Sequence, residues 1–149
     1  MSAPAPVAPA PRYDRERYLA LGLLPLLNAV WLPLYTLGFA SFGDTLSGSA
    51  WVPALMVMVA LTVIIAMPAV VRRGRDLGWR GGKGLIAFVA GWMLPPLALG
   101  LLLYLAFAAS TPAGEVFGPA PGPASVLVWI KAIVIVATPW AVIAVLNSL

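Results

Sequence analysis

Four long apolar segments constrain this chain more than any other feature. They cover residues 19–40, 51–71, 84–109 and 126–146. Each is long enough to cross a hydrocarbon layer of about 30 Å as a helix, because a helix rises about 1.5 Å per residue. An isolated apolar stretch in lipid must satisfy its own backbone hydrogen bonds, as a helix does. The sequence therefore predicts an all-α integral membrane domain with four transmembrane helices over residues 18–149.

The cations lie almost entirely on one side of these segments. Eight of the nine precede the first segment or lie between the second and third, namely Arg12, Arg15, Arg17, Arg72, Arg73, Arg75, Arg80 and Lys83. Lysine and arginine accumulate on the cytoplasmic flanks of membrane spans. With four spans, this rule predicts that the N-terminus, the basic loop and the C-terminus all lie in the cytoplasm.

The composition excludes several classes of function. Hydrophobic residues make up 62% of the 149 residues and charged residues 9%, whereas a soluble domain carries about 25% charged residues. The basic residues cluster at the ends of the predicted spans, and the chain has no predicted soluble domain that would present them to nucleic acid. The absence of cysteine and histidine excludes disulfides, cysteine-based metal sites and histidine ligation of a cofactor. We therefore expect no cofactor, no metal and no nucleic-acid partner.

An enzymatic activity is not expected either. None of the five carboxylates lies well inside a predicted span, so the parts of an intramembrane proton relay are missing. Ser110, Thr111 and Ser125 are available hydroxyls, but the sequence offers no histidine or buried acid as their base. Residues 1–17 begin with alternating alanine and proline, and we expect them to form a disordered cytoplasmic tail.

A few residues inside the predicted spans stand out. Pro95 and Pro96 lie near the middle of the third span and predict a kink or a short break, because adjacent prolines remove two helical hydrogen bonds. Asn28 is halfway along the first span and is expected to hydrogen-bond to another helix. Lys131 lies in the fourth span on the predicted outer side. It would snorkel to the interface or pair with Asp44 or Glu115, or else contact an anionic or quinone headgroup.

The loop between the second and third segments reads VVRRGRDLGWRGGKG, and its charges suit anionic lipid headgroups. Its candidate lipid-contacting residues are Arg72, Arg73, Arg75, Asp76, Arg80 and Lys83. Asp76 is expected to pair with one or more of its five cationic neighbours. The alternative interpretation is a loop that sets topology and pairs with itself.

This loop resembles the signature of the bacterial family called domain of unknown function 805. Members carry an Arg-Arg-Leu-His-Asp run, then Gly, then a Ser-Gly-Trp-like step into a span. The residues that match in register are Arg72, Arg73, Asp76, Gly78 and Gly81, whereas Gly74, Arg75 and Gly82 depart from the pattern. Upstream, residues 12–19 look like the family's basic and aromatic entry to its first span. The resemblance implies a small four-span protein of the bacterial inner membrane without an agreed activity.

The sequence supports three hypotheses of function. The first is a non-enzymatic accessory subunit, or an assembly or stabilising factor, of a larger membrane complex, with protein partners in that complex. The second is a homo-oligomeric carrier or channel for a small solute, supported by the bent third span and Lys131. The third is a membrane protein that contacts anionic lipids through the basic loop.

Overall fold

The computed structural model describes residues 13–40, 51–80, 82–119 and 121–146. Within these ranges the chain is helical and contains no strand. The elements are α1 (Arg15–Tyr18), a π-helical turn (Leu19–Leu23), α2 (Leu24–Ala40), α3 (Trp51–Asp76), α4 (Lys83–Met93), α5 (Pro95–Phe107), a 3-10 helix (Pro112–Phe117) and α6 (Val126–Leu146). The first three follow one another without a break, and together they form one long helix, called α1–α2 below.

The first helix begins earlier than the sequence predicts. Residues 1–12 of the predicted tail and Asp44 lie outside the described residues. The end of that tail, from Arg15 to Arg17, is helical. Asp14 is the N-cap, because its carboxylate accepts a hydrogen bond from the backbone N–H of Arg17 at 2.8 Å.

Three of the helices are long and apolar enough to cross a membrane. They are the stretches Arg15–Thr36, Val52–Asp76 and Val126–Val145. The protein is therefore a helical membrane protein, as the sequence predicts. The predicted span at residues 84–109 is different, because the structure divides it between two shorter helices.

α4 and α5 form an antiparallel hairpin in place of that span. The chain is extended at Leu94 (φ −133°, ψ 93°) and then returns as α5. The two arms lie close together, since a Cβ built on Gly91 would be 3.1 Å from the Cα of Ala98. The arms have 11 and 13 residues and are about 16 and 20 Å long. The break occurs where the prolines predict a kink, but the chain reverses direction there and neither arm is long enough to cross the membrane.

The tip of the hairpin satisfies the backbone donors that begin α5. A helix start leaves four N–H groups without an intrahelical partner, and unpaired donors are costly in lipid. Pro95 and Pro96 supply the first two positions and have no N–H. Leu97 and Ala98 donate their N–H groups to the carbonyl of Leu94, at 2.8 and 3.2 Å. The two prolines therefore suit a reversal at membrane depth, because they remove the donors that lipid would leave unpaired.

The segment between α5 and α6 lies beside the start of α1. The Arg17 guanidinium donates to the carbonyls of Gly122 and Pro123, at 2.6 and 3.2 Å. The N–H of Ala124 donates to the Glu16 carboxylate at 3.3 Å. We call this end of the bundle, with the start of α1, the α3–α4 loop and residues 108–125, the basic end. α6 runs from the basic end to the opposite end, because its start lies beside Glu16 and its later turns lie beside Asn28. Residues 147–149 lie outside the described residues, and the predicted cytoplasmic position of both termini stays a prediction.

The core lies between α1–α2, α3 and the second half of α5. Its fully buried side chains include Tyr18, Leu26, Val70, Leu105 and Ala106. By contrast, most of α6 is exposed to the surroundings of the bundle. The well-packed part of the fold is therefore the half that carries the hairpin and the basic end.

Candidate functional site at the basic end

Arg73 lies near the end of α3 and is buried, with 1% of its surface exposed. Its Nε donates to the carbonyl of Leu105 at 2.9 Å, and its Nη2 donates to the carbonyl of Ala108. Leu105 lies in the last turn of α5 and Ala108 is its C-cap, and the carbonyls at this end of a helix have no intrahelical partners. A cation at this position also interacts favourably with the helix dipole. Arg73 therefore fastens the returning arm of the hairpin to α3.

Asp76 completes this arrangement and is also 1% exposed. Its carboxylate pairs with the Arg73 guanidinium and accepts a hydrogen bond from the Ser110 hydroxyl. Its backbone carbonyl accepts from the N–H of Thr111 at 3.3 Å. We call Arg73, Asp76 and Ser110 the α3–α5 latch. The predicted pairing of Asp76 with a neighbouring cation is observed, and the cation is Arg73.

The sequence-based expectation that no buried acid accompanies the hydroxyls is wrong for Ser110. A buried acid, Asp76, does accompany the hydroxyl of Ser110, although no pattern in the sequence indicates this contact. The Asp76 carboxylate is shared between that hydroxyl and the Arg73 guanidinium, while Arg73 also holds two α5 carbonyls. The hydrogen bonds of these three side chains therefore join α3 to the chain that follows α5. The polar cluster has a structural role in this arrangement.

The other residues of the basic loop are nearer the surface. Arg72 is half-buried; its Nη1 donates to the Tyr13 hydroxyl at 2.8 Å, and its guanidinium lies 5.0 Å from the centre of the Tyr13 ring. Arg75 is also half-buried, whereas Arg80 and Lys83 are exposed. Four of the six predicted lipid contacts are thus at or near the surface, and Arg73 and Asp76 are turned inward.

Asn28 joins α2 to α6, which agrees with the interhelical hydrogen bonds expected of it. Its amide nitrogen donates to the carbonyl of Val136 at 3.3 Å, and its amide oxygen accepts from the indole N–H of Trp140 at 2.7 Å. Trp140 also contacts Tyr35 edge-on, with ring centres 5.2 Å apart. These polar contacts hold the largely exposed α6 against the first helix.

Lys131 lies on the basic side of the membrane region. It is five residues from the start of α6 at Val126, so it is about 8 Å along a helix that begins at the basic end. Because the hairpin reverses the path of the chain, Lys131 lies toward the same end of the bundle as the basic loop, whereas four full spans would separate the two. The side of the membrane on which Lys131 lies stays a prediction. No ion pair joins Lys131 to Glu115 within the described residues, and the other candidate partner, Asp44, lies outside them.

A large apolar cleft separates α2 from the hairpin. Its volume is about 980 Å³, and its walls include Leu27, Trp31, Phe88, Pro96 and Leu99. Trp31 is 61% exposed, and its indole N–H has no acceptor among the described residues. We call this the α2 cleft. The tip of the hairpin therefore lies across the cleft from the first half of α2.

Sequence reasoning missed the hairpin and the contact of Ser110 with Asp76, and two signals pointed to the hairpin. The proline pair divides the third apolar segment into two arms of similar length, 11 and 13 residues. In addition, a chain with four spans would have the cation Lys131 on the outer side, which the positive-inside rule disfavours. With the hairpin, every cation in the described part of the chain lies at or toward the basic end.

The family match covers the elements that build the latch. The model described as Protein of unknown function (DUF805) matches residues 7–119. This range contains the first helix, α3, the basic loop and the hairpin, and it stops before α6. No curated protein and no solved structure matches the chain. A match over most of the chain, on the segment that carries both motifs, shows that this protein belongs to the DUF805 family, whose function is unknown.

Proposed function

We propose that this protein is a non-enzymatic accessory subunit, or an assembly factor, of a larger membrane complex. The α2 cleft is the observation that carries the proposal. It is apolar, has a volume of about 980 Å³ and is bounded on one side by a hairpin that is shorter than the membrane is thick. A helix or loop of another membrane protein would fill the space that a third full span would have occupied.

The chemistry of the cleft wall favours a protein as its occupant. Trp31 is a large exposed aromatic whose N–H lacks an acceptor among the described residues. Tryptophan is enriched among the residues that dominate binding at protein interfaces, where its N–H finds a partner. Lipid tails offer no acceptor for that group. A partner segment with a free carbonyl or hydroxyl would satisfy it.

In the same proposal, the protein lies in a bacterial inner membrane with its basic end in the cytoplasm. The positive-inside rule supports this orientation, since the exposed Arg80 lies in the α3–α4 loop and the exposed Lys83 begins α4. The N-terminus would then be cytoplasmic, and α6 would end on the opposite face. This orientation replaces the one in which both termini are cytoplasmic.

A homo-oligomeric carrier or channel is the second candidate, and the half-length hairpin favours it. Broken or re-entrant helices line the substrate paths of some transporters. In this chain, however, the Leu94 carbonyl is used by Leu97 and Ala98, and the Asn28 amide is used by α6. The apolar cleft therefore offers a solute few polar contacts, and the accessory role is the better supported.

Replacing Trp31 with leucine tests the accessory role. The native protein should purify from its source membrane in mild detergent with a partner at fixed stoichiometry. The Trp31→Leu variant should retain less than about one tenth of that partner, because truncating a central aromatic at an interface costs about 2 kcal/mol or more. The readout is mass spectrometry of the complex with absolute quantification.

Trp129→Leu is the matched control, because Trp129 is an exposed tryptophan of α6 near the basic end and outside the cleft. It should keep the partner at the native stoichiometry. A native protein that purifies alone, or a partner lost equally from both variants, would contradict the proposal. Solute flux through liposomes containing the protein alone would favour the carrier instead.

A further inference from the structure

A second groove lies between α1–α2, α3 and α6, away from the α2 cleft. Its volume is about 400 Å³. Its apolar lining includes Leu21, Ile65, Ile130 and Val134, and its polar lining includes Tyr13 and Lys131. Tyr13 precedes α1, so this polar part of the groove faces the basic end. The groove therefore combines an apolar wall along the spans with a cationic end near one membrane interface.

One cation lines that end, and a second contacts its tyrosine. Lys131 lines the groove about 8 Å beyond the start of α6, and its long apolar stem allows its ammonium to reach toward the interface. Arg72 reaches the same place through Tyr13, whose hydroxyl accepts from the guanidinium at 2.8 Å. That hydroxyl keeps its own hydrogen available for a further acceptor. The end of the groove thus presents donors and positive charge, which suit an anion.

Lys131 lacks an acidic partner in the described structure. The two ion pairs there join Asp14 to Arg17 and Asp76 to Arg73. A cation inside a membrane span is costly unless it is paired or reaches the interface. An anionic group held at the mouth of the groove would supply the missing partner. Because apolar side chains of the spans line the rest of the groove, a membrane lipid suits the site better than a free anion from the aqueous phase.

We propose that this groove binds one anionic phospholipid from the leaflet at the basic end. An acyl chain lies against Leu21, Ile65 and Val134, and the phosphate accepts from Lys131 and from the Tyr13 hydroxyl that Arg72 positions. The charge of the groove selects an anionic headgroup over a zwitterionic one. This site is separate from the α2 cleft, so the proposal does not depend on the accessory role.

Retention of lipid by the full-length protein tests the site. The protein is equilibrated in mixed micelles that contain phosphatidylglycerol and phosphatidylcholine, and lipids that stay bound are counted by native mass spectrometry. The wild-type protein should retain one phosphatidylglycerol. Lys131→Leu should reduce that retention about fivefold, because one cation near a membrane surface contributes about 1 kcal/mol to binding an anionic lipid.

Two further variants separate the groove from general surface charge and from misfolding. Arg15→Leu removes an exposed cation of α1 that does not line the groove, and it should leave retention unchanged. Val134→Trp fills the groove from an exposed position while keeping Lys131, and it should also reduce retention. The proposal is overturned if Lys131→Leu and Val134→Trp retain phosphatidylglycerol as the wild type does. It is equally overturned if phosphatidylcholine is retained as firmly, or if Arg15→Leu loses as much lipid as Lys131→Leu.

Discussion

Replacing Arg73 with leucine is expected to lower the free energy of unfolding by about 3–5 kcal/mol, the range measured when one partner of a buried ion pair is removed. The Asp76 carboxylate would remain buried beside the Ser110 hydroxyl without its cation. The carbonyls of Leu105 and Ala108 would also lose their donor at the end of α5. The loss therefore combines an uncompensated charge with unpaired backbone acceptors.

The measurement is unfolding of the purified protein in mixed micelles with increasing denaturing detergent. Arg80→Leu is the matched control, because Arg80 is an exposed arginine of the neighbouring loop, and its loss should change stability by less than about 0.5 kcal/mol. Arg73→Lys should fall between the two, since an ammonium keeps the charge but lacks the planar fork that reaches several acceptors. Equal stability of the Arg73 and Arg80 leucine variants would show that the latch does not hold the hairpin.

Replacing Gly22 with alanine is expected to destabilise the fold by about 1–3 kcal/mol, which is typical of overpacking. A Cβ at this position would lie 2.8 Å from the Tyr18 ring and 3.1 Å from the Cβ of Ala69 in α3. The Tyr18 ring has little freedom to move away, because it is 0% exposed and its hydroxyl donates to the carbonyl of Leu102. Gly22 therefore permits the close approach of the first helix and α3.

Gly100→Ala provides the opposite case in the same protein. Gly100 lies within α5, and a Cβ there would meet nothing within 4 Å. Alanine should stabilise α5 by about 0.5–1 kcal/mol, because glycine loses more backbone entropy in a helix. The same unfolding assay should therefore move the two variants in opposite directions. A Gly22→Ala variant that is as stable as the wild type or as Gly100→Ala would contradict the packing described around Gly22.

The sequence predicted the parts of this fold that depend on local hydrophobicity. The fourth predicted span coincides with α6, and the second begins with α3. Asn28 could be recognised as an interhelical contact because an amide in a span needs a partner wherever it is placed. Asp76 could likewise be expected to pair, since five cations surround it in the sequence. Each of these predictions follows from a property of the residues themselves: their hydrophobicity, their hydrogen-bonding groups or their charge.

The hairpin could not be predicted in the same way. Hydropathy measures the length of an apolar stretch, and 26 continuous residues fit one long span as well as two arms that return. The choice between them depends on tertiary contacts, above all those of Arg73 with Leu105 and Ala108. Because the lipid-loop interpretation treated every arginine of the motif as a surface charge, it also missed the inward turn of Arg73.

The side of the membrane on which residues 118–125 lie tests the central claim most directly. The chain has no cysteine, so Ser125→Cys, Arg80→Cys and a cysteine added after Leu149 each give a single labelling site. Spheroplasts and inverted vesicles are treated with a membrane-impermeant maleimide. The hairpin predicts that Ser125→Cys and Arg80→Cys are labelled from the same face and the added cysteine from the opposite face. Labelling of Ser125→Cys and Arg80→Cys from opposite faces would contradict the hairpin and restore four full spans.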